Sequence, residues 1–228
     1  MIPLDLGISY KTDLDNLCEI QSTSTSKVYT ADLSNIPKHA KEILKTSSSS
    51  SSSSSNQQTY SVIVKVLGES AYRNPEERLE AWRYEVVITW CFHRIPNVIQ
   101  FIGYCEQPLC LITKLYQMNL EELLIKAKLP IPPRLSLQFA IDISNGMTHV
   151  HGLNIVHHDL TMKNILLEDL GSGDYNAVIC GFGFARLIGD ASTIKRKMGM
   201  GLSVQYCAPE VNIKCVIFSY RYICIISI

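Results

Sequence analysis

The run His157-His158-Asp159-Leu160-Thr161-Met162-Lys163-Asn164 brings an acid, an ammonium and an amide together within a few positions. An aspartate can accept a hydroxyl proton, the lysine after it can neutralise a phosphate, and the asparagine can offer an oxygen to a hard cation. The run lies between the apolar stretches Asn154-Ile155-Val156 and Ile165-Leu166-Leu167-Glu168, so a polar loop is clamped by two strands. The plainer alternative is a polar turn that begins on histidines. A second candidate is Lys65 with Glu85, each on an otherwise apolar face, where pairing removes two buried-charge penalties at once. Its alternative is two unrelated side chains snorkelling to water. The third is Cys180-Gly181-Phe182-Gly183-Phe184-Ala185-Arg186, where two glycines after a β-like run point to a positive φ or a close backbone approach. It leaves open whether Gly181 is turn chemistry alone or stands where an acid would do chemistry.

These side chains need elements to hold them. Tyr60–Leu67 alternates Val62, Val64 and Val66 with Ile63, Lys65 and Leu67, a strand apolar on both faces save for one lysine. Asn74-Pro75-Glu76-Glu77 supplies an N-cap, a proline at the first helical position and a glutamate at the third. Leu79, Trp82, Val86 and Trp90 then recur at helical spacing, with Glu85 on the same stripe. Val98–Cys105 and Cys110–Leu115 read as strands, and Asn119-Leu120-Glu121-Glu122 as another helix start. Leu135, Phe139, Ile143, Met147 and Val150 form the stripe of a longer helix entered after Pro132-Pro133. Two short strands fall around Asn164–Glu168 and Ala177–Gly181. The predicted class is α+β, with a β-rich first half and a mainly helical second half.

Equal counts of basic and acidic residues, 21 each, give no net charge to attract nucleic acid or an anionic membrane surface. The apolar run Val216–Ile228 is too short to span a membrane and is interrupted by Arg221. The eight cysteines lack metal-ligand spacing and, with no signal peptide, read as reduced, mostly buried thiols of a cytoplasmic protein. Ser47–Ser55 buries nothing, so residues 46–59 are expected to be a disordered insertion between two ordered elements.

Taken together, and in chain order, these motifs resemble a protein kinase from about Leu17 to Glu210. Ser61–Leu67 is similar to the kinase strand that carries the phosphate-binding lysine, and Glu85 to that lysine's helical partner. His93–Cys105 resembles the stretch after that helix, His157–Leu167 the catalytic loop, Gly181-Phe182-Gly183 the D-F-G turn, and Ala208-Pro209-Glu210 the A-P-E motif. The resemblance implies a bilobal fold: a β-rich lobe over about 10–115, a hinge near Tyr116–Asn119 and an incomplete, mainly helical lobe over about 117–228. It implies that Lys65, steadied by Glu85, holds ATP phosphates, and that Ile20, Val28, Thr113 and Leu166 belong to the nucleotide-binding set. Asp159 would take the substrate hydroxyl proton, Lys163 would neutralise the γ-phosphate, and Asn164 would ligate magnesium.

Four departures accompany the resemblance. Gly181 occupies the position of the metal-carrying aspartate and has no carboxylate. Gln21, Thr23 and Ser26 stand at the three glycines of the nucleotide-covering loop, where an ordinary polar hairpin turn is the competing description. His158 replaces an arginine that in the family pairs with activation-segment phosphate, leaving Ser192, Thr193, Ser203 or Tyr206 as modifiable positions without that partner. After Glu210 the sequence does not continue as the family's helices do, and is expected to be a shortened product. Three readings follow: a catalytically impaired, pseudokinase-like module that scaffolds a protein partner and holds ATP weakly with little use for magnesium; an active kinase phosphorylating protein Ser, Thr or Tyr; or a truncated fragment without activity.

Overall fold

The computed structural model describes residues 6–45, 59–127 and 131–188. The serine tract, the modifiable positions after Ile188, the Ala208-Pro209-Glu210 motif and the apolar C-terminal run lie outside the described residues. The chain divides into two compact units, with Leu115 ending the first and Tyr116 continuing the second.

The first unit is built on five antiparallel strands: β1 (Leu14–Ser22), β2 (Ser26–Leu33), β3 (Tyr60–Leu67), β4 (Phe101–Glu106) and β5 (Leu109–Lys114), in spatial order β1-β2-β3-β5-β4. Two helices accompany them, α1 (Ala40–Lys45) and α2 (Pro75–Cys91). The alternation read in Tyr60–Leu67 makes β3 the central strand. Its Val62 and Val64 point into one apolar cluster with Leu33, Ile102 and Ile112, while Leu67 joins another with Trp82, Val86, Phe101 and Leu111. Consecutive strand residues face opposite sides, so a strand flanked by two clusters must be apolar on both. Residues 46–58 fall between α1 and β3, in a connection whose flanking strands β2 and β3 are paired neighbours. Lengthening such a connection costs little, because closure entropy grows only logarithmically.

Helix α2 begins as its sequence dictates. Asn74 Oδ1 accepts the Glu77 N–H at 2.8 Å, and the Glu77 carboxylate accepts the Arg73 N–H at 3.0 Å. The strand expected over Val98–Cys105 begins only at Phe101. Val98 instead bridges Ile179, and Ile95–Val98 belong to the second unit. Conversely the first unit starts before residue 10: Leu6 and Ile8 are buried, and the Ile8 N–H donates to the Tyr104 carbonyl on β4 at 2.8 Å.

The second unit holds α3 (Leu120–Ala127), α4 (Pro133–Gly152) and the strands β6 (Met118–Asn119), β7 (Ile155–Val156), β8 (Ile165–Gly171), β9 (Asp174–Ile179) and β10 (Arg186–Leu187). Strands β6, β8 and β9 form one sheet, and β7 pairs with β10. Among the described residues the unit thus carries three short strands besides the two expected. These three are two residues long, too short for any period to register, and exist because tertiary partners meet them. The capping box at α3 is reciprocal, with Asn119 Oδ1 accepting from Glu122 N–H at 2.9 Å and Glu122 Oε2 from Asn119 N–H at 3.3 Å. On α4 the predicted stripe is buried at Phe139, Ile143, Met147 and Val150. Gly146 lets this helix approach closely, since a Cβ there would lie 2.6 Å from the Asn97 carbonyl oxygen and 2.8 Å from Ile179 Cδ1. Among the described residues no helix is long and apolar enough to cross a membrane.

Candidate functional site

In the first unit β3 presents Lys65 toward α2, and Nζ lies 2.5 Å from Glu85 Oε1. The Glu85 side chain is only 6% exposed and that of Lys65 28%, so the carboxylate is the deeper partner and the ammonium keeps some access to water. A buried carboxylate without this cation would carry the full desolvation penalty. Nearby, burial and then the Glu85 charge push the Tyr72 phenol above its ordinary pKa. Val28 on β2 is the direct neighbour of Lys65, and Leu111 on β5 lies on its other side. Thr113 is buried between Ile63 and Phe101. Ile20 is 55% exposed, at an irregularity in the β1–β2 register between Glu19 and Gln21.

The turn between β1 and β2 resolves in favour of the polar hairpin. Thr23 Oγ1 accepts the Ser26 N–H at 3.0 Å and the Thr25 N–H at 3.3 Å, while the Thr23 N–H donates to the Ser26 carbonyl at 2.9 Å. A phosphate cradle depends on backbone N–H groups aimed outward at the anion. Here a threonine hydroxyl consumes two of them. The tip is further tied to the segment after β3 by the Gly68 N–H, which donates to the Thr25 carbonyl at 2.9 Å.

In the second unit, β7 and β8 bracket the polar run as expected. Register pairs Ile155–Val156 with Leu187–Arg186 and Ile165 with Ile179, so the 157–164 loop and the 180–185 turn are clamped side by side. His157 joins them. Its Nδ1 accepts the Asp159 N–H at 3.2 Å, and its Nε2–H donates to the Cys180 carbonyl at 2.8 Å. This pair of contacts requires a neutral ring. Burial holds its pKa down at about 4. His158, at φ 63°, is likewise depressed to about 4 by burial and then by the Arg186 charge. Phe182 is 1% exposed and tilts against the His157 ring with centroids 4.9 Å apart.

Gly181 has φ 83° and ψ 41°, the left-handed conformation the paired glycines pointed to. Asn164 is what a side chain there would meet first: a Cβ on residue 181 would lie 2.5 Å from Oδ1, 2.6 Å from Cγ and 2.9 Å from Nδ2. Asn164 Nδ2 donates to both the Asp159 carbonyl at 2.7 Å and its carboxylate Oδ2 at 2.8 Å. The amide thus fills the space a side chain at 181 would need and turns its donor onto the acid. Lys163 is exposed and sits 3.6 Å from Glu121 Oε2 on α3. Leu166 is half-buried on β8, opposite Val178 and Asn119.

Sequence reasoning gave no role to three residues that build this loop pair. His157 orients both segments. Asp142, buried on α4, accepts the Ala177 N–H at 2.9 Å and a Gln138 amide N–H at 2.8 Å, which fixes β9. Asn97 accepts the Ile179 N–H through its carbonyl and donates through Nδ2 to the Ala177 carbonyl, both at 2.9 Å. Asp142 carried the same signal as Glu85, an acid beside an apolar helical stripe.

Residues 19–221 match the model of the protein tyrosine and serine/threonine kinase family. The chain belongs to that family. This kinase domain is 36% identical over 159 residues to "Integrin-linked protein kinase 1" of Arabidopsis thaliana, covering 66% of the chain and 32% of that protein. It is 35% identical over 136 residues to "Dual specificity testis-specific protein kinase 2" of Mus musculus (56% and 24%), and 33% over 136 residues to "Dual specificity protein kinase pyk3" of Dictyostelium discoideum (59% and 10%). The matched stretch thus spans a tenth to a third of these relatives' lengths. Kinase domains in general use ATP and magnesium. The Lys65–Glu85 pair fits a nucleotide phosphate. The Asp159–Asn164–Gly181 donor set fits magnesium poorly, because Gly181 adds no carboxylate and Asn164 offers only a neutral amide oxygen where a hard cation favours charged oxygen ligands.

Proposed function

We propose that this kinase domain is a nucleotide-responsive binding module in which phosphoryl transfer is impaired. The observation that carries the reading is Gly181, which adds no carboxylate and whose Cβ position the Asn164 side chain closes off. Phosphoryl transfer rests on positioning and on neutralising developing charge, so an absent metal carboxylate removes a central contribution. The self-closed Thr23 turn supports the same reading, since its N–H groups are not offered to phosphates. Lys65 remains as the cation for ATP, with Ile20, Val28 and Thr113 of the same unit as the residues flanking the base. We assign the cytoplasm as compartment, because all five described cysteines are free thiols, and a protein as the partner class, because the matching family is one of protein kinases. Of those five, only Cys105 and Cys110 are buried, fewer than the sequence led us to expect.

An active kinase is the second reading, favoured by the intact Lys65–Glu85 contact and by Asp159 and Asn164 still lying in one loop. Thermal melts of the full chain with and without ATP, in magnesium and in EDTA, separate the two. A ligand that binds only the native state adds about 2.7 kcal/mol at one hundred times its Kd, ample for a visible shift. The module gives an ATP shift indifferent to EDTA and no phosphate transfer to a generic protein substrate. A shift that needs magnesium, with turnover abolished by Asp159→Asn, overturns it in favour of transfer to Ser, Thr or Tyr hydroxyls.

A further inference from the structure

Cys105 and Cys110 take no part in the loops described above, yet they meet. They sit directly opposite each other on the antiparallel pair β4–β5, one step inside the Glu106–Leu109 pair that closes the hairpin. Their side chains lie on one face of the sheet in a single apolar cluster, and Cys105 Sγ–H donates to the Gln107 carbonyl at 3.3 Å. We propose that this thiol pair is a reversible oxidation site, at which a hydroperoxide-class oxidant closes a disulfide between β4 and β5.

Geometry allows it with little movement. Directly opposite residues on antiparallel strands hold their Cβ atoms about 4.5–5.5 Å apart, and a disulfide needs about 3.5–4.5 Å. An approach of about 1 Å, next to the short Gln107-Pro108 connection, is enough. The two thiols are also unequal. Cys105 is 8% exposed and Cys110 is fully buried, so an oxidant reaches Cys105 first. The hydrogen bond from Cys110, then backbone contacts at Gln107 and Tyr10, hold the Cys105 thiol down at about 6 against the opposing effect of burial. Cys110, as the donor and in a dry environment, is pushed up and keeps its proton. A more accessible attacking sulfur beside a buried resolving thiol is the arrangement that disulfide-forming peroxide oxidation requires.

The steps balance. The Cys105 thiolate attacks one peroxide oxygen, the O–O bond breaks, and the departing hydroxide takes a proton to leave as water. Cys110 sulfur then attacks the Cys105 sulfenic sulfur; its proton goes to the leaving hydroxyl, and a second water departs. Two thiols lose two electrons and two protons, and one hydrogen peroxide becomes two waters. The bond would sit beside the phosphate-binding strand: Cys110 is the register partner of Val66, and its carbonyl accepts the Trp82 indole N–H of α2 at 3.0 Å.

The test is hydrogen peroxide titration of the reduced full chain, native and in urea, followed by differential alkylation and mass spectrometry. Both cysteines fall in the one tryptic peptide Ile95–Lys114, so the bond appears as the loss of two hydrogens from that peptide, reversed by dithiothreitol. The expected result is that native protein forms this bond before the exposed Cys18 and Cys91 react, and at least tenfold faster than in urea. In Cys110→Ser, the Cys105 sulfenic acid should persist and be captured by a cyclic diketone. Cys18 or Cys91 oxidising while the peptide keeps both thiols would overturn the proposal, as would equal rates in urea. The wild-type comparison stands even if the variant does not fold.

Discussion

Gly181→Ala tests whether the Asn164 amide and residue 181 compete for one space. Alanine in the left-handed region costs about 1–2 kcal/mol on backbone grounds. The new Cβ would also lie within 2.5–2.9 Å of all three terminal Asn164 atoms, closer than real contacts allow, so the amide must leave. Leaving breaks its hydrogen bonds to the Asp159 carbonyl and carboxylate, and a bond to a charged group is worth about 1.5–3 kcal/mol. The expected loss is therefore about 3–4 kcal/mol for Gly181→Ala and about 2–3 kcal/mol for Asn164→Ala. In the double variant the clash has no second partner, so the two losses should overlap by about 2 kcal/mol. Urea unfolding of the four proteins at one pH, with the slope checked for constancy, measures the cycle. A Gly181→Ala loss under about 0.5 kcal/mol, or additivity within that margin, refutes the reasoning. Gly181→Asp meets the same three atoms, so adding the carboxylate alone should displace Asn164 from Asp159 before it could restore a metal site.

Two further outcomes follow from the buried groups. His157 binds a proton in the unfolded chain below about 6.5 but in the native state only below about 4, so stability should fall as pH drops through that window and level off beneath it. A gap of that size corresponds to about 3 kcal/mol, and urea midpoints that stay flat between pH 7 and pH 5 would contradict it. Within the Lys65–Glu85 pair the damage should be asymmetric. Lys65→Met strands a buried carboxylate and should cost about 2–4 kcal/mol, whereas Glu85→Gln leaves an ammonium that can reach water and should cost less. Thermal melts giving the reverse order would show that the carboxylate is not the deeper partner.

Much of the molecule could be read in the linear order of residues, because the information was local. Strand β3 follows from β-branched alternation, α2 and α3 from their caps, and α4 from its stripe. Lys65 and Glu85 declared themselves as charges on apolar faces, and the glycine pair at 181 and 183 announced a turn that proved left-handed at Gly181. Tertiary structure decided what depended on residues far apart meeting. Strands β6, β7 and β10 have no period to read and exist through their partners. Asn97 reaches Ala177 across 80 positions and Asp142 reaches it across 35, contacts no spacing rule anticipates. The sequence marked Gly181 as a missing acid. Only the folded chain placed the Asn164 amide in its space, because steric exclusion is a property of neighbours in space and not along the chain.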